Sequence, residues 1–329
     1  MIEKRTHSWH KRKEVMQYIE PLMLRHLNDF LLPIEDLWQP ADLLPNGKSE
    51  NFIHELKELQ ERAKDLSYDL LVVLAGDTIT EEALPTYEGW LSMVKDVSKD
   101  GNGGWMTWIR QWTAEENRHG DLLNKYLYLT GRINMKAFEQ STQYLITDGF
   151  DISTGNDPYR NFIYTSFQEL ATNLSHRRTA TLVKKQGDHE LSRICGTIAS
   201  DEARHAKAYQ LFMSKIFEVD PNEGLLAFEY MMRKKIIMPA HFLRETGECK
   251  EKAFMHFSDV AQRLGVYTSE DYINILGTLI KTWKIADLRA LDGNAEKARD
   301  YLMNLPARLL KIVAHKKPHF SNHNFSWIL

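Results

Sequence analysis

Two short segments of the chain repeat one arrangement of acidic and basic residues. Each reads acidic–Glu–x–Arg–His, over residues 115–119 and again over residues 201–205. On a helix, residues three positions apart lie on one face about one turn apart, so the glutamate and histidine of each segment could meet one ion. A single pair of this kind is usually a surface salt link, whereas two matching pairs could together serve a two-metal site.

A glutamate precedes each pair at a similar distance. Glu81 lies 35 residues before Glu116, and Glu169 lies 33 residues before Glu202. This internal duplication predicts two helix pairs, each offering one glutamate from its first helix and a Glu-x-x-His from its second, as in ferritin-like two-metal proteins. The spacing alone does not distinguish Glu81 from its neighbour Glu82 as the ligand.

The charge of such a cluster also indicates metal. Four carboxylates brought together in a protein interior would raise their pKa values and protonate unless cations compensated them. With two neutral imidazoles, the four negative charges balance two divalent ions. Oxygen-rich ligands without a thiolate suit iron or manganese better than copper or structural zinc, and iron is the choice if oxygen is to be activated.

The elements that must position these residues are long helices. Apolar residues recur at helical spacing over most of the chain, and no alternating strand pattern of useful length occurs. An aspartate followed by proline at 157–158 and 220–221 predicts two helix starts, Pro21 is expected to bend or restart the first apolar stripe, and an extended tail is expected from His315 onward. The predicted helices span residues 51–64, 68–97 with an interruption at Pro85, 105–129, 135–146, 158–185, 188–218, 221–244, 270–291 and 294–313.

Composition supports an all-α fold and excludes several classes of protein. The 329 residues include only 17 glycines and 10 prolines, which disfavours a many-turned all-β architecture. Lysine and arginine number 42 against 45 acidic residues, and this near balance argues against a dedicated nucleic-acid binder.

The same features bear on the compartment. Two cysteines cannot build a disulfide framework, so a reducing compartment is the simplest interpretation. The apolar run Leu70–Ala75 is far shorter than a membrane span, and no signal-peptide pattern follows the charged N-terminus. We therefore expect the cytoplasm, or the plastid stroma if a transit peptide has been removed.

Several segments resemble the soluble acyl-acyl-carrier-protein desaturases, which are ferritin-like diiron carboxylate proteins. The resemblance begins near Pro33 and continues to the C-terminus, and three of its motifs are eight residues or longer. The matching segments are residues 80–87, 112–121, 162–169, 231–235, 238–241 and 325–328.

The resemblance implies an all-α, ferritin-like bundle of long helices around a diiron-type site. It implies one desaturase-like domain over residues 1–329, with a core bundle at about 50–245 and C-terminal helices and an extended tail at about 246–329. It also implies a homodimer with two iron ions per chain, as Fe²⁺ or Fe³⁺, manganese being less favoured. By position, the family's iron ligands fall on Glu81, Glu116, His119, Glu169, Glu202 and His205.

The implied reaction introduces a cis double bond into a fatty acyl chain carried on acyl carrier protein. Acid–base side chains cannot break unactivated C–H bonds, so an oxidant formed from a metal and O₂ is required. Reducing O₂ to two waters takes four electrons, of which desaturation gives two. Because residues 101–104 lack the strand, spacing and helix of a Rossmann fingerprint, we expect an external donor of the other two, ferredoxin-like by the resemblance.

Two other classes of protein remain open. Another diiron oxidase, such as a hydroxylase or a ribonucleotide-reductase-like radical protein, would use the same ligands. A ferritin-like iron-storage protein would also do so, although a storage subunit is usually one short bundle and this chain has more than 100 residues after His205.

Residues beside the predicted ligands have candidate supporting roles. Asp201 could orient His119, and Glu115 could orient His205, since metal-binding histidines usually donate their other N–H to a carboxylate. A solvent-facing acid is the alternative for each. Thr172 resembles the family's threonine near the oxygen site, and its alternative is a helix threonine bonded to its own backbone.

Aromatic and channel residues form a further group. The tryptophans at positions 105, 108 and 112 form a helical stripe that is typical of core packing, with an acyl channel or an electron relay as the alternative. Trp38 has the same two interpretations, packing or a point where electrons enter. By the resemblance, Trp90 and Asn161 are bulkier than expected near the far end of an acyl channel, which would shorten the accepted chain or move the double bond.

Two basic segments could dock an acidic carrier protein. They are Arg233, Lys234 and Lys235, and the segment 176–178, and the alternative for both is a solvated helix face. The resemblance favours the first.

Overall fold

The computed structural model describes residues 2–83, 86, 89, 103–247, 252–315 and 323–329, with side chains from residue 10 onward. Over these residues the chain forms twelve α-helices and no β-strand, which confirms the predicted all-α class. None of the described helices is both long and apolar enough to cross a bilayer. In chain order the helices are α1 (Ile2–Arg25), α2 (Leu27–Phe30), α3 (Phe52–Lys64), α4 (Tyr68–Glu81), α5 (Gly104–Thr130), α6 (Met135–Asp148), α7 (Pro158–Lys185), α8 (His189–Val219), α9 (Pro221–Lys234), α10 (Lys252–Leu264), α11 (Ser269–Thr282) and α12 (Gly293–Ala314).

Two helix pairs carry the duplicated motif. α4 and α5 hold Glu81 and the first Glu-x-x-His segment, while α7 and α8 hold Glu169 and the second. α7 and α8 are joined by residues 186–188 and pack along most of their length. α4 is buried on nearly every side because its sequence from Leu70 to Ile79 is mostly apolar.

The helix starts follow local capping chemistry. Asp157 begins α7 as predicted, and its carboxylate accepts hydrogen bonds from two backbone N–H groups of the first turn. Pro221 begins α9 as predicted, but Asp220 makes no side-chain cap. The Asp220 carboxylate is bound instead by the Lys11 ammonium at 2.5 Å and by the Tyr159 hydroxyl at 3.2 Å.

Several predicted boundaries are wrong. α1 continues through Pro21 instead of restarting there. α9 ends ten residues earlier than predicted, because Lys235 adopts a left-handed φ of 64° and a 3₁₀ turn begins at Pro239. α11 ends at Thr282, nine residues early, and α10 was not predicted.

The C-terminal segment packs into the bundle. The Trp327 side chain is buried, and its indole N–H donates to Ser141 Oγ on α6 at 2.8 Å. The backbone carbonyl of Trp327 accepts a hydrogen bond from Asn134 N–H at 2.7 Å. Residues 323–329 are non-helical, as predicted for the tail, while residues 316–322 lie outside the described residues.

Candidate metal centre

The six predicted ligands converge between the two helix pairs. Two groups of four side chains each have donor atoms within 4.8 Å of one another. One group is Glu81, Glu116, His119 and Glu202, and the other is Glu116, Glu169, Glu202 and His205. Glu116 and Glu202 belong to both groups. This is the arrangement expected of two neighbouring cation positions that share two carboxylates.

The two histidines direct their Nδ1 atoms into this cluster. His119 Nδ1 lies 3.2 Å from Glu202 Oε1, and His205 Nδ1 lies 2.7 Å from Glu116 Oε1. Both rings are fully buried, and neither Nδ1 makes a hydrogen bond to a described residue. The nitrogen atoms are therefore close to carboxylates without being bonded to them.

The fit to cations depends on buried polar atoms that have no hydrogen-bond partner. Among the described residues of the cluster, these atoms are Glu116 Oε1, His119 Nδ1, Glu169 Oε2, Glu202 Oε1 and His205 Nδ1. Burying a polar atom without a hydrogen bond is costly, and native proteins leave few such atoms. Because all five are of metal-ligand types and share one cluster, the side chains fit a pair of divalent cations.

The electrostatics of the cluster favour added positive charge. Burial and the carboxylates of Glu116 and Glu202 raise the pKa of Glu169 well above its usual range. Burial also acts to raise the pKa of Glu116, but His119 and His205 outweigh it and lower this pKa to about 2. Burial acts to lower the pKa of each histidine, but the carboxylates raise it well above its usual value. Two divalent cations would supply the positive charge that these buried carboxylates favour.

Each histidine is held by a carboxylate of the other Glu-x-x-His helix. His119 Nε2 lies 3.3 Å from Asp201 Oδ2, and His205 Nε2 lies 3.0 Å from Glu115 Oε2. Arg204 donates to both carboxylates, at 2.6 Å to Asp201 and 2.9 Å to Glu115. A histidine that donates from Nε2 presents a lone pair at Nδ1, so these contacts are those that the predicted orienting roles require.

Trp38 covers the outer side of His119. The two rings stack at an angle of 11° with centroids 6.1 Å apart. The indole N–H donates to Asp201 Oδ2 at 3.0 Å, and the Arg118 guanidinium lies over the indole at 4.2 Å. Trp38 is half-buried, so its position is compatible with both predicted roles, packing and a point where electrons enter.

Thr172 contacts one of the two shared carboxylates. Its hydroxyl donates to Glu202 Oε2 at 2.6 Å. Thr172 Oγ1 also lies 3.2 Å from the backbone carbonyl of Gln168. The bond to its own helix backbone, the alternative role for Thr172, is therefore present as well. Thr172 therefore joins α7 to a ligand on α8.

The other two carboxylates have donors that the sequence analysis did not predict. The Trp112 indole N–H donates to Glu169 Oε1 at 3.1 Å, while the tryptophans at 105 and 108 are buried core side chains. His176 Nε2 lies 3.0 Å from Glu81 Oε1. His176 comes seven residues after Glu169, two turns along the same face, and this spacing was the signal available in the sequence.

Glu82 is turned away from the cluster. Its Oε1 accepts a hydrogen bond from the Asn124 amide at 2.6 Å, and its Oε2 accepts one from the Thr142 hydroxyl at 3.2 Å. Both oxygens therefore have partners elsewhere, and Glu81 is the carboxylate that joins the cluster.

A cavity of about 600 Å³ lies beside the cluster. Thr80, Gln168 and Thr172 line it close to the ligands, and the exposed side chains of Arg233 and Lys235 also line it. Its apolar lining includes Ile236, Met238, Phe254, Phe257 and Leu305. The cavity thus reaches from exposed basic residues to Thr172, whose hydroxyl contacts the ligand Glu202, and none of the six predicted ligands lines it.

Other candidate residues lie elsewhere. Asn161 is buried but does not line this cavity, and Trp90 lies outside the described residues. In the segment 176–178, the expectation of a surface role is wrong for His176, which is buried, whereas Arg177 is exposed. Arg178 is partly exposed, and its guanidinium donates to both carboxylate oxygens of Asp271, at 2.5 and 2.8 Å.

The fold and the site define a ferritin-like helical protein with a carboxylate–histidine centre. The family model described as "Fatty acid desaturase" matches residues 11–329. The chain therefore belongs to the fatty acid desaturase family and is an oxidoreductase, which confirms the family predicted from the sequence.

Named relatives and one solved structure are similar to the chain over most of its length. Stearoyl-(acyl-carrier-protein) 9-desaturase 1, chloroplastic, of Arabidopsis thaliana is 49% identical over 97% of this chain and 82% of its own. Acyl-(acyl-carrier-protein) desaturase, chloroplastic, of Cucumis sativus is 50% identical over 93% of this chain and 78% of its own. The X-ray structure of DesA2 from Mycobacterium tuberculosis shares the fold, with a TM-score of 0.51 at 17% identity over 87% of this chain and 99% of that one.

Proposed function

We propose that this chain introduces a cis double bond into a fatty acyl chain carried on acyl carrier protein. The observation that carries the proposal is the buried cluster of four carboxylates and two histidines beside a largely apolar cavity. The names of the relatives support it, since they are desaturases of stearoyl or acyl groups on acyl carrier protein.

The proposed reaction needs an external source of electrons. One –CH₂–CH₂– unit, O₂, two electrons and two protons give –CH=CH– and two waters. The acyl chain supplies two electrons, and a ferredoxin-like donor supplies the other two. Trp38, half-buried and stacked on His119, offers a conjugated contact between the surface and the cluster.

The six ligands that we propose are Glu81, Glu116, His119, Glu169, Glu202 and His205. Two iron ions held there would supply the binding and reduction of O₂, chemistry that side chains lack, and manganese is the less favoured choice. Asp201 and Glu115 keep the imidazoles turned so that Nδ1 faces the cluster. The Thr172 hydroxyl holds Glu202 and can carry a proton at Oγ1, beside the cavity.

The cavity is the proposed acyl site. Its apolar walls would exclude water and favour an alkyl chain, and Gln168 and Thr172 mark the part nearest the ligands. An acyl chain that enters past Arg233 and Lys235 would bring its middle carbons, and not its thioester end, beside the cluster.

A single-turnover experiment tests the proposed reaction. Reduced iron-loaded protein is mixed with O₂ and acyl carriers of graded chain length, and the acyl product is weighed by mass spectrometry. We expect the loss of two mass units. A gain of sixteen would indicate a hydroxylase, and iron uptake without either product would indicate storage.

Carrier docking at Arg233, Lys234 and Lys235 has its own test. Changing Lys234 and Lys235 to glutamate should raise KM for the acyl carrier at low salt more than it lowers kcat, because electrostatic docking acts mainly on encounter. The double change Lys184→Glu and Lys185→Glu is the matched control, since both lysines are exposed and neither lines the cavity. Equal KM increases in both variants would contradict docking at this surface.

The oligomeric state and the cellular compartment are the remaining parts of the proposed function. We propose a homodimer of single-domain chains in the cytoplasm or plastid stroma. Light scattering of the purified protein and imaging of a fluorescent fusion are the corresponding measurements.

A further inference from the structure

Glu81 and Glu169 occupy corresponding places in the two helix pairs but different places on their helices. Glu81 is the last residue of α4, whereas Glu169 is the twelfth of the 28 residues of α7. The C-terminal end of a helix carries unpaired carbonyl groups and partial negative charge, which disfavours a carboxylate. Glu81 therefore needs a hydrogen-bond donor from outside its own helix more than Glu169 does.

His176 is placed to be that donor. Its Nε2 lies 3.0 Å from Glu81 Oε1, and its ring is buried. The buried thiol of Cys195 on α8 lies near the ring. Because His176 belongs to α7, this contact fixes the end of α4 against a 28-residue helix of the other pair.

His176 does not join the ligands themselves. It belongs to neither group of donor atoms that lie within 4.8 Å of one another. Its Nε2 is directed at one oxygen of Glu81, while the other oxygen, Oε2, is the one within 4.0 Å of His119 Nδ1. One Glu81 oxygen is thus occupied by His176 and the other faces the cluster.

We propose that His176 is a positioning residue that holds Glu81 in its ligand orientation and so controls the affinity of one cation position, the one shared with His119. The inference rests on the two-metal site proposed above. Trp112, which donates to Glu169, has the corresponding place at the other position.

The test is a Co²⁺ titration of the full-length, metal-free protein, followed by calorimetry and visible absorption, and it needs no turnover. A His205→Ala background retains the group with Glu81 and His119, whereas a His119→Ala background retains the group with Glu169 and His205. In the first background, His176→Leu should weaken Co²⁺ binding about 10-fold or more, as loss of a ligand's hydrogen-bond partner usually does.

Two comparisons separate positioning from packing. In the first background, His176→Gln keeps an amide that can donate to Glu81, and it should bind Co²⁺ within about threefold of the parent, against the 10- to 100-fold loss typical of a missing partner. In the second background, His176→Leu should change nothing, and Trp112→Phe should weaken binding instead.

Several outcomes would overturn the proposal. Equal weakening by His176→Leu in both backgrounds would do so, as would equal weakening by leucine and glutamine. If His176→Leu does not fold by circular dichroism, His176→Gln is compared with His176→Asn, whose shorter amide should not reach Glu81, and equal affinities of these two overturn it. Failure of the unsubstituted protein to bind two Co²⁺ ions would contradict the proposed function instead.

Discussion

The two helix pairs of the metal centre agree in how their histidines are held. Asp201 of the second pair contacts His119 of the first, and Glu115 of the first contacts His205 of the second. In each pair the orienting acid immediately precedes a glutamate ligand. One short repeated segment therefore supplies both a ligand and the partner of the opposite histidine.

The pairs differ in the length of helix beyond their first glutamate. After Glu169, α7 continues for sixteen residues and brings Thr172 and His176 to the cluster. After Glu81 the helix α4 ends, and the sequence three and four residues later is Leu84-Pro85, where proline disfavours further helix. The uninterrupted helix thus supplies contacts for ligands of both pairs, and the interrupted helix depends on it.

The largest expected effect comes from a ligand that both groups share. Glu116→Ala should abolish turnover and weaken metal binding by more than about 100-fold, since even the partners of ligands cost 10- to 100-fold. Glu82→Ala is the matched control and should keep both ions, because Glu82 is bonded to Asn124 and Thr142. Iron counted per chain after anaerobic loading is the measurement. Two ions in Glu116→Ala would contradict a shared role.

The agreement between the pairs predicts equal losses from the two orienting acids. Asp201→Asn and Glu115→Gln should each weaken metal binding by about 10- to 100-fold, since each loosens one histidine. Asp121→Asn, which removes only a surface contact with Lys125, should have no effect. Unchanged iron content and turnover in Asp201→Asn would refute its orienting role.

The difference between the pairs predicts a smaller effect at Thr172. Thr172→Val should keep both ions but lower turnover by about fivefold, the size expected for one hydrogen bond of ~1 kcal/mol. Thr172→Ser retains the hydroxyl and should recover most of the rate. Equal turnover rates in the valine variant and the parent would contradict a role for the Thr172 hydroxyl in turnover. The contact with its own helix backbone would then be its only role.

The smallest effect concerns the far end of α7, where Arg178 binds Asp271 on α11. Burial acts to raise the pKa of Asp271, but hydrogen bonds from Arg178 and Thr268 outweigh it and lower this pKa. The stability from this carboxylate is therefore present above its unfolded pKa, about 3.9, and is lost as the pH falls through the lower folded value. Urea unfolding from pH 6 to pH 3 should show a steeper decline in the parent than in Asp271→Asn. Parallel declines in the free energy of unfolding of the two proteins would contradict a lowered pKa for Asp271.

Much of the site could be predicted because its signal is local. The Glu-x-x-His spacing and the upstream glutamates identified the positions of the ligands, and the family resemblance selected Glu81 over Glu82. The fold brings these six side chains together. His176 was misinterpreted as part of a basic surface, because its neighbours are arginines and its partner, Glu81, lies 95 residues away. The seven-residue spacing from Glu169 places His176 on the ligand face of α7, but it does not identify Glu81 as the partner.

The helix boundaries also divide into those with a local sequence signal and those without one. The limits of α7 were predicted correctly, since Asp157 and Pro158 define its start. α9 was predicted too long because nothing in the local pattern shows that Lys235 adopts a left-handed conformation. α10 did have a signal, apolar residues at helical spacing such as Phe254, Phe257 and Ala261, and it was overlooked.

The anchoring of Trp327 to Ser141 joins residues 186 positions apart. A ribosome makes the chain from its N-terminus, so α6 is complete long before the tryptophan that covers it exists. The two helix pairs can pair before Trp327 is made, whereas this part of the interior is sealed only after Trp327 has left the ribosome. Closure around Ser141 must therefore follow the synthesis of α7 and α8, which lie between the two residues in the chain.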